Sequence, residues 1–366
     1  MDHNERFRTS ILILGKTGVG KSSLLNYLFG ENREKVATGR PVTGQGIYRH
    51  DGFPYRNIDI DIYDSWGLEP DKAKAWKGLI EKEVRNNGAK DIKDWFHTII
   101  YCVDAQRSRL EDFEVTDILT PLENMGNRIM FVLTKCDLAS EMQKKGIREE
   151  LKKRFPERLC MEVGSVSVKL RSGRITEQFG REAVFENAVL NLGENLFCKS
   201  LKRYKEDLDE YLSYARRDVL SYFEDQAGPI GLFTMYDEEF KNKIIKKAKS
   251  IYQNLIHFPK KELDKHIIFV GKAIKEVQKA YDLEKRNIDL NYIAPTSFKI
   301  EGWDNDFWEY VGGVLRLGRK GHYRELVEKM CEKACEELTK SHERLIAHFE
   351  KRVLEQLKKS ITQRAQ

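Results

Sequence analysis

The sequence contains no long run of apolar residues. Its longest apolar segments, such as residues 11–14 and 99–103, have the length of a strand, whereas a helix that spans a bilayer needs about 20 such residues. The N-terminal segment 1–6 also lacks the apolar core of a secretory signal. From these absences we expect a cytoplasmic chain that neither crosses a membrane nor is exported.

Paired cysteine motifs are also missing. The chain has six cysteines, none in a CxxC pair, which argues against a zinc site of the finger type and against a disulfide framework. Cys331 and Cys335 lie one helical turn apart. We interpret them as part of a packed helix face, with a metal site as the alternative.

A large excess of one sign of charge is likewise absent. The 64 basic and 58 acidic residues are mixed throughout and give a net charge of +6, which is compatible with an acidic partner but indicates none. Because the basic residues are not clustered and no RNA-binding motif is present, nucleic acid is not an expected partner. A length of 366 residues with 40% apolar residues predicts two folded domains.

The two parts of the chain differ in pattern. Residues 1–194 alternate short apolar runs with helical patterns, as expected of a doubly wound α/β domain. Residues 195–366 show only long, charged, helical patterns and predict an all-α domain. The candidate strands are residues 10–14, 58–63, 98–103, 129–134 and 161–165.

Three long helical stretches are expected in the second part. The first covers about residues 195–226, and the third covers about residues 323–363. The second begins near Asp237, is interrupted at Pro259 and resumes to about Glu284. Their apolar positions recur every three or four residues, so each stripe needs a partner, as in a bundle or an antiparallel stalk.

A phosphate-binding loop follows the first candidate strand. The segment Gly15-Lys16-Thr17-Gly18-Val19-Gly20-Lys21-Ser22 matches GxxxxGKS between a strand and a helix, which is the context that the motif requires. Lys21 is expected to reach the β- and γ-phosphates, and the Ser22 hydroxyl to bind Mg²⁺. The alternative is a glycine-rich turn without a ligand. The residues expected to surround the phosphates are Gly15, Thr17, Gly18, Val19, Gly20, Lys21, Ser22 and Ser23.

The choice of base is predicted by Thr134-Lys135-Cys136-Asp137, at the end of another strand. The Asp137 carboxylate can accept two hydrogen bonds from guanine, at N1–H and at the exocyclic amine. Adenine offers no such pair of donors, and the carboxylate would stay unpaired. The Lys135 stem can cover the face of the base. In isolation this motif is more often a surface turn, but far downstream of a phosphate-binding loop it predicts GTP and GDP.

Three further segments complete the predicted site. Asp64, in Asp64-Ser65-Trp66-Gly67, is expected to hold Mg²⁺ through water, and the Gly67 amide to contact the γ-phosphate. Thr43 is expected to bind Mg²⁺ only when the γ-phosphate is present, which makes its segment a switch. Thr38 is the rival of Thr43, and an ordinary turn is the alternative for both. Hydrolysis is assigned to Lys21, Thr43 and Gly67.

The last segment, Val166-Ser167-Val168-Lys169, follows the final candidate strand. The backbone at Ser167 and Val168 is expected to contact guanine O6, although a plain loop explains the pattern equally well. With this segment, the phosphate-binding loop, the segment of Thr43, the segment 64–67 and the TKxD motif, five nucleotide-binding motifs follow one another along the chain. They resemble those of the translation-factor-like and septin-like superclass of GTPases over roughly residues 8–195, and most of all its septin, chloroplast-import-receptor and immunity-associated group. Residues 101–105, with Arg109 and Glu111, are similar to the same group.

The resemblance implies a GTP-hydrolysing domain that dimerises across its nucleotide, and two departures qualify it. Leu68 stands where Ras-like proteins place a glutamine that orients water, so we expect slow intrinsic hydrolysis. Gly18 stands where potassium-dependent relatives carry asparagine, which argues against a cation mechanism of that kind. Candidates for the missing group, from this chain or a second copy, are Arg40, Gln45, Arg49, Arg107 and Arg109. The sequence assigns none of them, and a solvated side chain is the favoured alternative for each.

Two function classes follow. The first is a regulatory switch, activated by dimerisation through its GTPase domain, whose helical domain binds a protein effector or controls assembly. The second is a dynamin-like mechanochemical protein that assembles on membranes, suggested by aromatic and basic residues within residues 293–321. That segment lacks a sustained apolar patch, so a bundle loop is favoured over a membrane surface. A ribosome-assembly GTPase is a third, weaker option.

Overall fold

A mixed β-sheet forms the centre of the first part of the chain in this computed structural model. Its strands are β1 (Phe7–Gly15), β2 (Arg40–Pro41), β3 (Ile47–Tyr55), β4 (Ile58–Ser65), β5 (Thr98–Asp104), β6 (Ile129–Thr134) and β7 (Cys160–Glu162). Their order across the sheet is β2-β3-β4-β1-β5-β6-β7. The structure describes residues 6–30, 40–41, 47–65, 73–107, 109–227, 238–283 and 323–362.

The sheet is parallel from β4 through β1, β5 and β6 to β7, and antiparallel at β2 and β3. Residues 11–14 of β1 are fully buried, as expected of an apolar strand covered on both faces. Since parallel strands put their carboxyl ends at one edge, Gly15, Asp104 and Thr134 end their strands on the same side of the sheet as Asp64, the last residue but one of β4.

The helices of this part are α1 (Lys21–Phe29), α2 (Ala73–Gly88), α3 (Thr120–Asn124), α4 (Glu141–Arg154) and α5 (Arg181–Leu190). One apolar cluster includes the fully buried Leu12, Tyr101 and Phe131 from the strands. Helix α4 begins with a capping box, in which Ser140 Oγ accepts from the Gln143 amide and Gln143 accepts from the Ser140 amide. This cap fixes the chain just after the TKxD motif.

Three long helices form the remainder of the described chain: α6 (Leu192–Ala227), α7 (Glu238–Ala280) and α8 (Tyr323–Thr362). An apolar cluster collects buried side chains from all three, among them Val219, Tyr252 and Leu338, each fully buried. Cys331 is buried and Cys335 packs against the same cluster, which confirms the packed helix face. The predicted fold class, an α/β domain followed by a helical region, is confirmed.

The chain divides into two compact units. The first consists of Met1–Lys199 and Phe269–Asn287, and the second of Ser200–Ile268 and Ile288–Gln366. The first unit therefore contains the sheet, the start of α6 and the end of α7. The predicted domains, residues 1–194 and 195–366, remain a proposal about the functional division of the chain.

Three local predictions were wrong. Strand β3 was not predicted, because its sequence is polar and contains Gly52 and Pro54. Strand β7 ends at Glu162, short of the predicted residue 165. Helix α7 continues through Pro259, since a proline removes only one backbone donor from a helix and a long helix can tolerate that loss.

Candidate nucleotide site

The phosphate-binding loop joins β1 to α1 with a backbone that requires glycine at two points. Gly20 has a φ of 98°, and Gly15 has a φ of 145°. A Cβ atom at Gly15 would lie 2.7 Å from the carbonyl oxygen of Cys102 on β5. The loop therefore lies directly against the neighbouring strand and leads into the N-terminus of α1, where anions bind.

Lys21 and Asp64 are the charged pair at the centre of the site. Lys21 is buried, and its ammonium donates to the carbonyl oxygens of Gly15 at 3.0 Å and Lys16 at 3.1 Å. Burial lowers the pKa of Lys21, an effect that the negative charge of Asp64 opposes. Burial raises the pKa of Asp64 to about 6, and the charge of Lys21 opposes that shift. Each charge thus stabilises the other in a poorly solvated place.

One carboxylate oxygen fits a metal site. Within the described part of the chain, the buried Oδ1 atom of Asp64 has no hydrogen-bond partner. A buried carboxylate oxygen is costly unless it binds a donor or a cation, and oxygen is the ligand that Mg²⁺ prefers. The unpartnered oxygen of Asp64 therefore fits the cation that the motif implies.

The TKxD motif is tied to the phosphate-binding loop by side chains. The Thr134 hydroxyl contacts the carbonyl oxygen of Val19. The Lys135 ammonium donates to the Gly18 carbonyl at 2.8 Å and to Asp104 Oδ2 at 2.7 Å, from a backbone with a φ of 57°. The structure thus brings the two predicted motifs together at one edge of the sheet.

Asp137 lies in the same place and has a partner that sequence reasoning missed. Its Oδ2 atom accepts a hydrogen bond of 2.9 Å from the hydroxyl of Thr176. The Val168 amide, predicted to face guanine, instead donates to the Thr176 hydroxyl at 2.9 Å, while Ser167 is exposed. No spacing rule marks Thr176, because its role depends on how the loop after β7 folds back.

A second set of charges surrounds Lys16. Its ammonium pairs with Glu111 and lies 5.2 Å from the centre of the Phe113 ring. Arg107 lies 3.9 Å from Glu111 and 3.7 Å from the buried Glu114. The candidate Arg107 is therefore already engaged with carboxylates, whereas Arg109 is exposed.

Of the other predicted site residues, the structure describes only some. The Arg49 guanidinium pairs with Asp61 at 2.7 Å, within the sheet. Thr38, Thr43, Gln45, Gly67 and Leu68 lie outside the described residues, and only the backbone of Arg40 is described. The segment 293–321 also lies outside them.

Comparison with known proteins finds GTPases that are similar to the first part of the chain. Residues 10–135 match the model of a family described as 50S ribosome-binding GTPase. The chain carries a P-loop GTPase domain. This domain is 33% identical over 181 residues to the tRNA modification GTPase MnmE of Thermoanaerobacter sp. (strain X514), a match that covers 49% of this chain and 33% of that protein.

The same domain is similar to GTPase Der of Rickettsia prowazekii (strain Madrid E), at 26% identity over 141 residues, 38% of this chain and 30% of that protein. The chain thus spans about a third of the length of the curated relatives it matches. The more specific resemblance to septin-like GTPases remains a prediction.

Two solved structures are also similar to the GTPase domain. The G domain of the T. maritima FeoB iron transporter is 21% identical and covers 50% of this chain and 97% of that one, with a TM-score of 0.32. Toc33 from Arabidopsis thaliana, in complex with Mg²⁺ and GMPPNP, is 17% identical and covers 51% and 85%, with a TM-score of 0.38. In the described ranges, no helix has the length and apolar character needed to cross a membrane.

Proposed function

We propose that this chain binds GTP with Mg²⁺, hydrolyses it slowly to GDP and phosphate, and acts as a regulatory switch in the cytoplasm. The observation that carries the proposal is the convergence of Lys21, the unpartnered oxygen of Asp64 and the tethered TKxD motif at one edge of the sheet. The three groups match the three parts of the ligand: phosphates, cation and base.

The phosphates are the part of GTP that the loop between β1 and α1 binds. Its amides, from Gly15 to Ser23, donate to the phosphate oxygens, and Lys21 exchanges its contacts with the Gly15 and Lys16 carbonyls for the β- and γ-phosphates. That exchange gives a buried ammonium anionic partners, so binding relieves the cost that lowers its pKa. The amide of Gly67 contacts the γ-phosphate.

Three side chains would hold the cation: the hydroxyls of Ser22 and Thr43 and the carboxylate of Asp64. Mg²⁺ supplies neutralisation of the charge on the β- and γ-phosphate oxygens. Thr43 reaches its place only with GTP bound, which couples its segment to the state of the nucleotide.

The base is selected by Asp137, which accepts hydrogen bonds from guanine N1–H and from the exocyclic amine. The Lys135 stem lies along the face of the base while its ammonium stays on Gly18 and Asp104. In our proposal, Ser167 lines the O6 side of the base, while the Val168 amide stays on the Thr176 hydroxyl.

Slow turnover follows from Leu68, whose apolar side chain cannot orient water. We propose that a second copy of the chain, docked through the GTPase domain, supplies the missing polar group. Arg109 is the best candidate, because it is exposed while Arg107 is shared between Glu111 and Glu114. The helical domain, residues 195–366, acts as the module that binds a protein effector or controls assembly.

The proposal is tested by GTP turnover measured over a range of protein concentrations. Turnover per chain is expected to rise with concentration, and Arg109→Ala should remove that rise while leaving GTP binding intact. Lys21→Ala should abolish binding, whereas the matched control Lys93→Met, at an exposed lysine, should change neither. Turnover per chain that is independent of concentration would contradict activation by dimerisation, and GTP binding that survives in Lys21→Ala would contradict the site.

A further inference from the structure

Thr176 lies in a short hairpin between β7 and α5. Its amide donates to the Val168 carbonyl at 2.9 Å, and the Leu170 amide donates to the Arg174 carbonyl at 2.8 Å. An antiparallel bridge pairs Lys169 with Ile175. Thr176 itself is 3% exposed, so the hairpin holds this side chain in a fixed and buried position.

The Thr176 hydroxyl links two segments that the nucleotide site requires. Oγ1 accepts from the Val168 amide at 2.9 Å and donates to Asp137 Oδ2 at 2.9 Å. The carbonyl oxygen of Val166 is a second possible acceptor, but it lies 3.4 Å away. Since a hydroxyl has one proton to donate, the nearer, charged carboxylate is the stronger acceptor.

This contact restrains the carboxylate of Asp137. An aspartate on a loop can rotate about its terminal bond, and two simultaneous hydrogen bonds to guanine require one particular rotation. With Oδ2 held by Thr176, that rotation is set before the base arrives, so less conformational freedom is lost on binding. A carboxylate oxygen has two lone pairs, so Oδ2 can still accept from the base.

We propose that Thr176 is a positioning residue for guanine selection, acting through Asp137 and the hairpin that carries it. The inference rests on the proposed function, because it assigns the partner of the residue that recognises the base. It adds a specificity determinant outside the TKxD motif. It also predicts that the hydroxyl matters and that the bulk of the side chain does not.

The test compares Thr176→Val, which removes the hydroxyl and keeps the shape, with Thr176→Ser, which keeps the hydroxyl. Binding of GDP and of IDP, which lacks the exocyclic amine, is measured by calorimetry on the full chain. Thr176→Val should weaken GDP binding about tenfold, the scale of one hydrogen bond to a charged group, and should reduce the preference for GDP over IDP. Thr176→Ser should restore both to within a few-fold of the unmodified chain.

A double-mutant cycle separates positioning from a general loss of structure. In an Asp137→Ala background, Thr176→Val should change neither GDP affinity nor the GDP-to-IDP ratio further, because the carboxylate that it positions is gone. Additive effects would overturn the inference. Thr116→Val is the matched control, since the exposed Thr116 hydroxyl bonds only to a helix carbonyl, that of Asp112 at 3.1 Å, among its described contacts.

The two proposals fail in different ways. If the unmodified chain binds GDP and prefers it to IDP, but Thr176→Val keeps that preference, the positioning role is wrong and the proposed function stands. The positioning role is also wrong if Thr176→Ser loses the preference as fully as Thr176→Val does. If the unmodified chain binds no guanine nucleotide, the proposed function fails and this inference fails with it.

Discussion

The first compact unit buries ionisable side chains, whereas the second buries an almost purely apolar helix stripe. Lys21, His97, Glu114 and Lys199 are among the acidic, basic and imidazole side chains buried in the first unit, while His342 is the one such side chain buried in the described part of the second. Buried ionisable groups cost stability unless they are paired. The contrast teaches that the α/β unit bears the cost of buried charges, those of its candidate site among them, and that the described helices of the second unit are stabilised mainly by apolar packing.

The largest effect should come from the residue that selects the base. Asp137→Asn replaces a double acceptor with an amide, so GTP affinity should fall by at least about 100-fold as two hydrogen bonds to a charged group are lost. Preference should shift towards xanthine nucleotides, whose base offers an acceptor where guanine has its amine. Competition binding with GTP and XTP measures the shift.

The control for that change is Asp209→Asn, at an exposed position on α6. It should leave the affinity for both nucleotides unaltered. A GTP preference that survives in Asp137→Asn would show that another group recognises the base.

Truncating a side chain of the apolar stripe in the three long helices should lower stability without weakening nucleotide binding. Leu338 is fully buried in the cluster of the three long helices. Leu338→Ala should lower the free energy of unfolding by about 2–5 kcal/mol through lost burial and a residual cavity. Urea denaturation should detect this, while GDP affinity stays the same. The control Ile268→Ala, at a side chain that is 63% exposed, should change stability by under about 0.5 kcal/mol.

A buried lysine in the first unit predicts a dependence on pH. Burial lowers the pKa of Lys199 to about 7 from 10.5, and its ammonium has a backbone contact with the Phe96 carbonyl at 3.2 Å. Between these two pH values the unfolded chain binds more protons than the folded one. The contribution of Lys199 therefore makes the chain more stable as the pH rises from about 7 towards 10.5, and is least favourable below 7.

Lys199→Met removes this contribution. The variant should be more stable than the unmodified chain at about pH 7, by about 1–3 kcal/mol, and the difference should shrink as the pH rises towards about 10. Thermal unfolding at several pH values measures the gap. Lys205→Met, at an exposed lysine on the same helix, should give a constant difference, and a constant difference for Lys199→Met would contradict the assignment.

The smallest effect concerns the turn between β3 and β4. Arg56 donates to the Ala280 carbonyl at 2.8 Å and stacks on the Tyr281 ring at 4.2 Å, where α7 ends. Arg56→Ala should cost about 0.5–1 kcal/mol and speed hydrogen exchange in the last turn of α7. Arg344→Ala, exposed on α8, is the control. Unchanged exchange in Arg56→Ala would show that the contact does not hold the helix end.

Sequence reasoning predicted the parts of the fold in which one local rule dominates. Apolar runs predicted β1 and β6, and the helical spacing of apolar residues predicted α6 and α8 closely. Strand β3 was not predicted because its sequence is polar and contains Gly52 and Pro54, which its antiparallel pairing with β4 tolerates. The prediction placed an interruption of helix α7 at Pro259, because the rule for proline takes no account of the many helical hydrogen bonds on either side of it.

The candidate site shows the same division. The motifs that contain Lys21, Asp64 and Lys135 follow strand ends, so the sheet topology alone brings them to one edge. The partner of Asp137 could not be predicted, because Thr176 reaches it only through the hairpin that pairs Lys169 with Ile175. The engagement of Arg107 with Glu111 and Glu114 likewise depends on the local path of the chain.

The central claim is that this site binds guanine nucleotides. Equilibrium binding of GTP and of ATP to the full chain, in the presence of Mg²⁺, tests it most directly. We predict that GTP binds and that ATP binds at least about 100-fold more weakly, since adenine does not offer the Asp137 carboxylate the pair of donors that guanine offers. Equal affinity for the two nucleotides would contradict the assignment of Asp137 and, with it, the account of this site.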